Sequence, residues 1–345
     1  MSGPLLLSLV LIFLPPGAFA AGCDDIQKEL AVISGKLAHS DVRSAAALVE
    51  PLEGSHSGCA AVVLAEARVQ ALANDGALAN ETFSRYTDLK PEDASGYGYY
   101  ARYLLTQREY ARADRLASIG LGKDPSSPIA LAVSGQILAL KGDASGGIDL
   151  LTRACRLDPG DAESQFQLGV IYDRVKRPGE AVEHFQNAAE ANPSDARAWD
   201  YLALNLEPLG EVDRADAAYK KGLEINQRGP FYDGFLDYNY GRFLMKRGDP
   251  AGSKLHLDRA TELAPKVRAI WYERAKLNLR MRNYPQARSD AETAASLADG
   301  GGIIIDLQVY ALLEQIYRRL GETALADQYA RLSRETSPPV RKGDR

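Results

Sequence analysis

The residues able to carry reactive chemistry are few. The 345-residue chain holds four histidines, His39, His56, His184 and His256, and three cysteines, Cys23, Cys59 and Cys155. A zinc site draws its ligands from side chains at short, regular spacings, and no two histidines stand at such a spacing. A solvated or packed imidazole is the expected role of His184 and His256. The sequence has no G-x-x-x-x-G-K-[ST] phosphate loop, no H-E-x-x-H pair, no G-x-S-x-G elbow and no C-x-x-C motif. Gly300-Gly301-Gly302 does not stand in for a phosphate cradle, because no strand pattern precedes it, and it reads as a loop. The expectation is therefore no catalytic residue, no cofactor and no metal. Thiol chemistry remains. Cys23 and Cys59 could pair in an oxidising compartment, whereas Cys155 lies in an apolar helical pattern and is expected to be a buried small hydrophobe.

The leading residues bear on whether those thiols meet an oxidant. Leu5 to Leu14 is a nearly continuous apolar run, followed by Pro15-Pro16-Gly17 and Ala18-Phe19-Ala20. A run of about ten residues is too short for a hydrocarbon core that needs roughly twenty. With small Ala18 and Ala20 as a peptidase site, residues 1–20 read as a secretory signal peptide, although no Lys or Arg occurs between Met1 and Gln27. Ala20-Ala21-Gly22-Cys23 also resembles a lipobox, in which Cys23 would be lipidated, but Ala20 stands where such a motif usually carries Leu. Two outcomes stay open: a periplasmic or secreted chain with a Cys23–Cys59 disulfide, or a membrane-anchored lipoprotein. No later stretch is long and apolar enough to span a membrane, so no transmembrane segment is expected in the mature chain. With 46% hydrophobic and 25% charged residues the composition is that of a folded protein, and the net charge of −5 gives no uniform electrostatic case for nucleic acid, so no nucleic-acid partner is expected.

The elements that would position any site come from an internal period. Pro91, Pro125, Pro159 and Pro193 follow one another at intervals of 34 residues. In the copy from Ala162 to Asp195 the landmarks are Leu168, Gly169, Tyr172, Ala181, Phe185, Ala188 and Pro193. The next copy supplies Trp199, Leu202, Ala203, Ala215, Tyr219 and Gly222. Two antiparallel helices approach closely only where side chains are small, so Gly169 and Ala181 permit contact while Tyr172 and Phe185 fill space between repeats, and proline ends the second helix. This pattern resembles the tetratricopeptide repeat, with Gln165 in place of the family's usual Trp. The resemblance implies an all-α, right-handed superhelical solenoid of antiparallel helix pairs. About seven copies are expected over 94–340, with an insertion near Gly229-Pro230. Residues 21–93 are expected to form two degenerate N-terminal hairpins with a capping role, and 341–345 a disordered tail.

The resemblance also places function on the concave face, lined by first helices, and implies that five places of each repeat point inward. In the last three copies these are Phe235, Tyr238, Arg242, Met245 and Lys246; Ala269, Tyr272, Lys276, Leu279 and Arg280; and Gln308, Ala311, Gln315, Arg318 and Arg319. All six charges among them are basic. A groove carrying Tyr238, Arg242, Lys246, Tyr272, Lys276, Arg280, Arg318 and Arg319 would suit an extended, acidic segment of another protein. The expected function is a non-catalytic interaction scaffold of the bacterial cell envelope. The alternative is a regulatory or targeting subunit of an envelope enzyme complex whose catalytic part lies on another chain. In the repeat frame Cys23 and Cys59 occupy nearly equivalent points, each preceding the first helix of its copy.

Overall fold

The computed structural model describes residues 23–227, 234–298 and 304–336. Residues 1–20, expected to be a signal peptide, Gly229-Pro230, Gly300-Gly301-Gly302, expected to be a loop, and 341–345, expected to be a disordered tail, lie outside the described residues. Among the described residues all regular structure is helical, in two compact units that divide after Ser194. The first opens with a 3₁₀ turn, Cys23–Ile26, followed by α1 (Gln27–Ala38), α2 (Val42–Ser55), α3 (Ala60–Leu72), α4 (Gly76–Leu89), α5 (Ala94–Thr106), α6 (Tyr110–Lys123), α7 (Pro128–Leu140), α8 (Ala144–Leu157), α9 (Ala162–Arg174) and α10 (Pro178–Ala191). The second holds α11 (Ala196–Leu206), α12 (Val212–Asn226), α13 (Phe235–Arg247), α14 (Pro250–Leu263), α15 (Arg268–Arg280), α16 (Tyr284–Ser296), α17 (Asp306–Leu320) and α18 (Thr323–Thr336). Each odd-numbered helix packs chiefly on the even-numbered helix that follows it, so the fold is an all-α solenoid of helix pairs.

Local chemistry sets the period. Asp41, Asp75, Asp143 and Asp249 cap the second helices of their pairs, each accepting a hydrogen bond from a first-turn N–H, as in Gly146 N to Asp143 Oδ1 at 2.9 Å. The periodic prolines fall two residues beyond a helix end, as Pro159 does after Leu157, where a missing N–H breaks no helical hydrogen bond. A second periodic feature sits in the turn inside each pair. Ser40, Asn74, Arg108, Gly142, Lys176 and Gly210 have positive φ at successive intervals of 34, and Gly248, Arg282 and Gly321 continue the series with shifted spacing. A left-handed residue at this place ends one helix and lets the chain reverse, which favours glycine although five of the nine are other residues.

Small residues govern the approach of the paired helices. A Cβ on Gly169 would lie 2.8 Å from the Phe185 ring, and one on Gly135 would lie 2.9 Å from the carbonyl oxygen of Gly147. The aromatics occupy the space so created. Phe185 is fully buried, Phe83 stacks on Tyr100 and Tyr103 at 5.3 and 5.6 Å, and fully buried Tyr219 lies 5.3 Å from Phe243. Burial of one such ring contributes roughly 2–3 kcal/mol. Tyr172 behaves differently from the others, remaining partly exposed and stacked flat on His184 at 5.4 Å.

Candidate functional site

In the second unit the first helices α11, α13, α15 and α17 stand side by side, tied by polar contacts along their length. Asn239 of α13 donates to Asp200 of α11 at 3.0 Å, Arg280 of α15 donates to the Met245 carbonyl of α13 at 3.2 Å, and Arg268 of α15 pairs with Asp306 of α17 at 2.7 Å. The Arg268 guanidinium is buried and also donates to the Ala294 and Ile304 carbonyls, so it fixes α15 against its neighbours and is not available to a ligand.

This packing sorts the basic row into two kinds of residue. Lys246 pairs with Glu207 at 2.6 Å, and Lys276 pairs with buried Glu273 at 2.9 Å while its ammonium lies 5.3 Å from the Tyr272 ring centre. Those two charges are compensated within the unit. Arg242 lies over Tyr238 at 5.3 Å, and Tyr238 itself is buried, with its hydroxyl proton held more tightly than usual by burial. Tyr238 therefore offers little surface to a ligand, whereas Tyr272 is half-buried.

Arg280, Arg318 and Arg319 come together. They line an open cleft of about 640 Å³ with Leu279, Gln315, Tyr284 and Arg282. Arg282 lies outside the five inward places of the repeat frame, since it belongs to the turn between α15 and α16, and only the folded chain brings it to α17. Arg318 pairs with Glu314 at 3.1 Å and approaches Asp327 at 3.6 Å. Arg282 and Arg319 are exposed and have no carboxylate partner among the described residues. The cleft thus carries four guanidinium groups and no carboxylate in its lining, an arrangement suited to holding oxyanions through charge-assisted hydrogen bonds.

The first unit holds a polar cluster that nearest-neighbour repeat reasoning does not reach. The guanidinium of Arg102 on α5 grips Asp161 at the start of α9, two pairs further on, and donates to Ser164 at 3.2 Å. Burial alone would raise the Asp161 carboxyl, but the Arg102 charge outweighs it and holds the group below its ordinary value. Arg68 stacks under Tyr99 at 4.3 Å. The Arg102–Asp161 pair is a structural tie, although Arg102 Nε is buried without a hydrogen-bond partner.

The histidines are likewise engaged. His184 shares a hydrogen bond with Gln165 at 2.9 Å and burial lowers its pKa; His256 meets fully buried Asp237 at 2.6 Å; His56 meets Asp25 at 3.1 Å; His39 Nδ1 lies 2.8 Å from the Gly35 carbonyl oxygen. Among the described residues no group of three or more His, Cys, Asp or Glu is placed to hold a metal ion, and no helix is long and apolar enough to cross a membrane. Cys155 is buried, and burial pushes its thiol up to about 12. Cys23 and Cys59 form a disulfide with Cα atoms 5.6 Å apart, which occupies the sulfur that a lipid anchor would need.

Paired helices, small-residue contacts and an open polar face define a class: a helix-pair solenoid of the kind that serves as a non-catalytic interaction module. The tetratricopeptide repeat model matches residues 101–162, 166–232 and 239–301, more than half of the chain, and the chain belongs to that family. It is 27% identical over 207 residues to protein FlbA of Caulobacter vibrioides, covering 60% of this chain and 34% of FlbA, so it spans about a third of that relative's length. Among solved structures, the APC/C hetero-tetramer Cut9–Hcn1 aligns with a TM-score of 0.71 at 14% identity, over 86% of this chain and 57% of that one. The human IFIT1 dimer with m7Gppp-AAAA aligns with a TM-score of 0.56 at 17% identity, over 86% and 68%.

The last comparison corrects the expectation of no nucleic-acid partner. A solenoid of this fold has been solved with an oligonucleotide, so neither the architecture nor a net charge of −5 excludes one. The physical reason is that binding an anion requires local positive charge, and a small basic cleft can exist on a chain whose total charge is negative. At such low identity the likeness concerns the fold and assigns no ligand to this chain.

Proposed function

We propose that the chain is an exported, non-catalytic scaffold of the bacterial cell envelope, periplasmic or secreted, which binds an extended segment of a partner protein on the first-helix face of its second unit. The observation carrying this reading is the side-by-side packing of α11, α13, α15 and α17, with Arg280, Arg318 and Arg319 lining one open cleft; Arg242 and Tyr272 would extend that surface from their inward places in the repeat frame. An extended acidic segment would bring carboxylates to the guanidinium groups and apolar groups to the tyrosine edge. The Cys23–Cys59 disulfide supports an oxidising compartment and the reading of 1–20 as an export signal. Residues 21–93 would then cap the array, with the repeats of 94–340 carrying the binding surface. A regulatory or targeting subunit of an envelope enzyme complex is the second reading, favoured by the hetero-tetrameric assembly in which the similar Cut9 fold was solved.

Capture of partners from envelope extract separates the two: several unrelated proteins fit a general scaffold, and one enzyme in fixed stoichiometry fits a subunit. Arg242→Ala with Arg280→Ala should weaken capture without unfolding the chain. Lys276 is left intact, because its removal would strand the buried Glu273 carboxylate and confuse binding with stability. Unchanged capture by the double variant would retire the proposed face.

A further inference from the structure

The cleft between α15, the following turn and α17 carries more charge than folding uses. Arg280 spends one N–H on the Met245 carbonyl, and Arg318 is partly balanced by Glu314 and Asp327. Arg282 and Arg319 have no acidic partner among the described residues, yet they share one cleft of about 640 Å³ with the other two. Like charges placed together repel, and an anion in the cleft removes that repulsion while accepting several guanidinium hydrogen bonds at once. One carboxylate has only two oxygens, too few for four forked donors arriving from a helix end, a turn and a second helix.

Resting on the reading above, we propose that this cleft is where the partner is read: it takes a cluster of carboxylates from adjacent Asp or Glu residues of an acidic peptide segment. The lining explains why a short, densely charged segment fits better than a long polyanion. Beyond the cleft Lys276 is paired with Glu273 and Lys246 with Glu207, and Arg242 stands apart over the Tyr238 ring, so positive charge is concentrated at one end and does not continue as an unbroken track. Gln315 and the half-buried Tyr284 border the guanidinium groups and can accept the peptide backbone and its apolar stems.

Binding of a fluorescein-labelled hexa-aspartate peptide to the full chain at low salt tests this, with a Gly-Ser peptide of equal length as reference. The wild type should bind the acidic peptide and not the reference, and added salt should weaken it. Arg282→Glu with Arg319→Glu should lower affinity by about tenfold or more, because two charge-assisted contacts become repulsions. The charge-matched pair Arg331→Glu and Arg334→Glu, on exposed positions of α18 outside the cleft, should leave it nearly unchanged. All these side chains are exposed, and circular dichroism checks that each variant stays folded. Equal losses in the two pairs, or no preference for the acidic peptide, would overturn the proposal. Tighter binding of an oligoadenylate or of pyrophosphate than of the peptide would overturn the acidic segment as occupant. If cell-extract partners depend on Arg242 but not on Arg282 and Arg319, the proposed face stands and the cleft assignment alone falls.

Discussion

Replacing Gly135 by Ala should destabilise the protein, although alanine is the better helix former. The residue lies within α7, where removing a glycine gains roughly 0.5–1 kcal/mol of backbone entropy. Its new Cβ would stand 2.9 Å from the carbonyl oxygen of Gly147 and 3.0 Å from Leu151 Cγ, and the opposing Gly147 Cβ position is equally tight at 2.8 Å from the Gly135 oxygen. A backbone carbonyl held in the hydrogen-bond ladder of α8 cannot step aside, so α7 and α8 must separate. Overpacking of this kind costs about 1–3 kcal/mol, which leaves a net loss centred on about 1 kcal/mol and reaching about 2.5 kcal/mol. Gly35→Ala provides the opposite sign. That glycine also lies in a helix but has nothing within 4 Å of its Cβ position, so the same substitution should stabilise by roughly 0.5–1 kcal/mol. Urea unfolding followed by circular dichroism gives the two midpoints, and hydrogen exchange should show weakened protection centred on α7 and α8 for Gly135→Ala only. If Gly135→Ala raises the midpoint as Gly35→Ala does, the two helices are not held at the distance described and the close-approach reasoning fails.

Three further outcomes are expected. Removing the Cys23–Cys59 bridge with a serine pair releases a loop of 36 residues and should cost the N-terminal hairpins about 4 kcal/mol from loop-closure entropy; exchange protection should fall in α1 to α3 and hold in α15 to α18, and a uniform fall would contradict local coupling between neighbouring repeats. Arg274→Ala breaks a bidentate pair with fully buried Asp290, held at 2.6 and 3.0 Å, and should cost about 3–5 kcal/mol; a shift in thermal midpoint matching under about 1 kcal/mol would show the carboxylate to be satisfied without it. Burial raises the Cys155 thiol to about 12, so at pH 8 only about one molecule in ten thousand carries the thiolate; alkylation should be slow in the folded chain and fast after unfolding, and rapid labelling of folded protein would place the thiol at the surface.

The sequence by itself determined the repeating unit and its chemistry. A period of 34 marked by proline, with small residues at fixed offsets, calls for a stacked array in which most contacts lie within one repeat or between neighbours, and its resemblance to the tetratricopeptide repeat implies paired helices. Gly169 against Phe185 and the prolines after α4, α6, α8 and α10 follow from that local code. The basic bias of the last first helices was likewise legible, as was the Glu273–Lys276 pair at helical spacing, though the five inward places passed over Glu273. What only the tertiary structure decided is which charges remain unspent. Glu207 reaches Lys246 from 39 residues away, Arg102 reaches Asp161 from 59, and Arg282 enters the cleft from a turn. A repeat pattern records which side chains face a neighbour, but the compensation of a charge depends on the distance to an opposite charge, and that distance exists only once helices far apart in sequence have been set side by side.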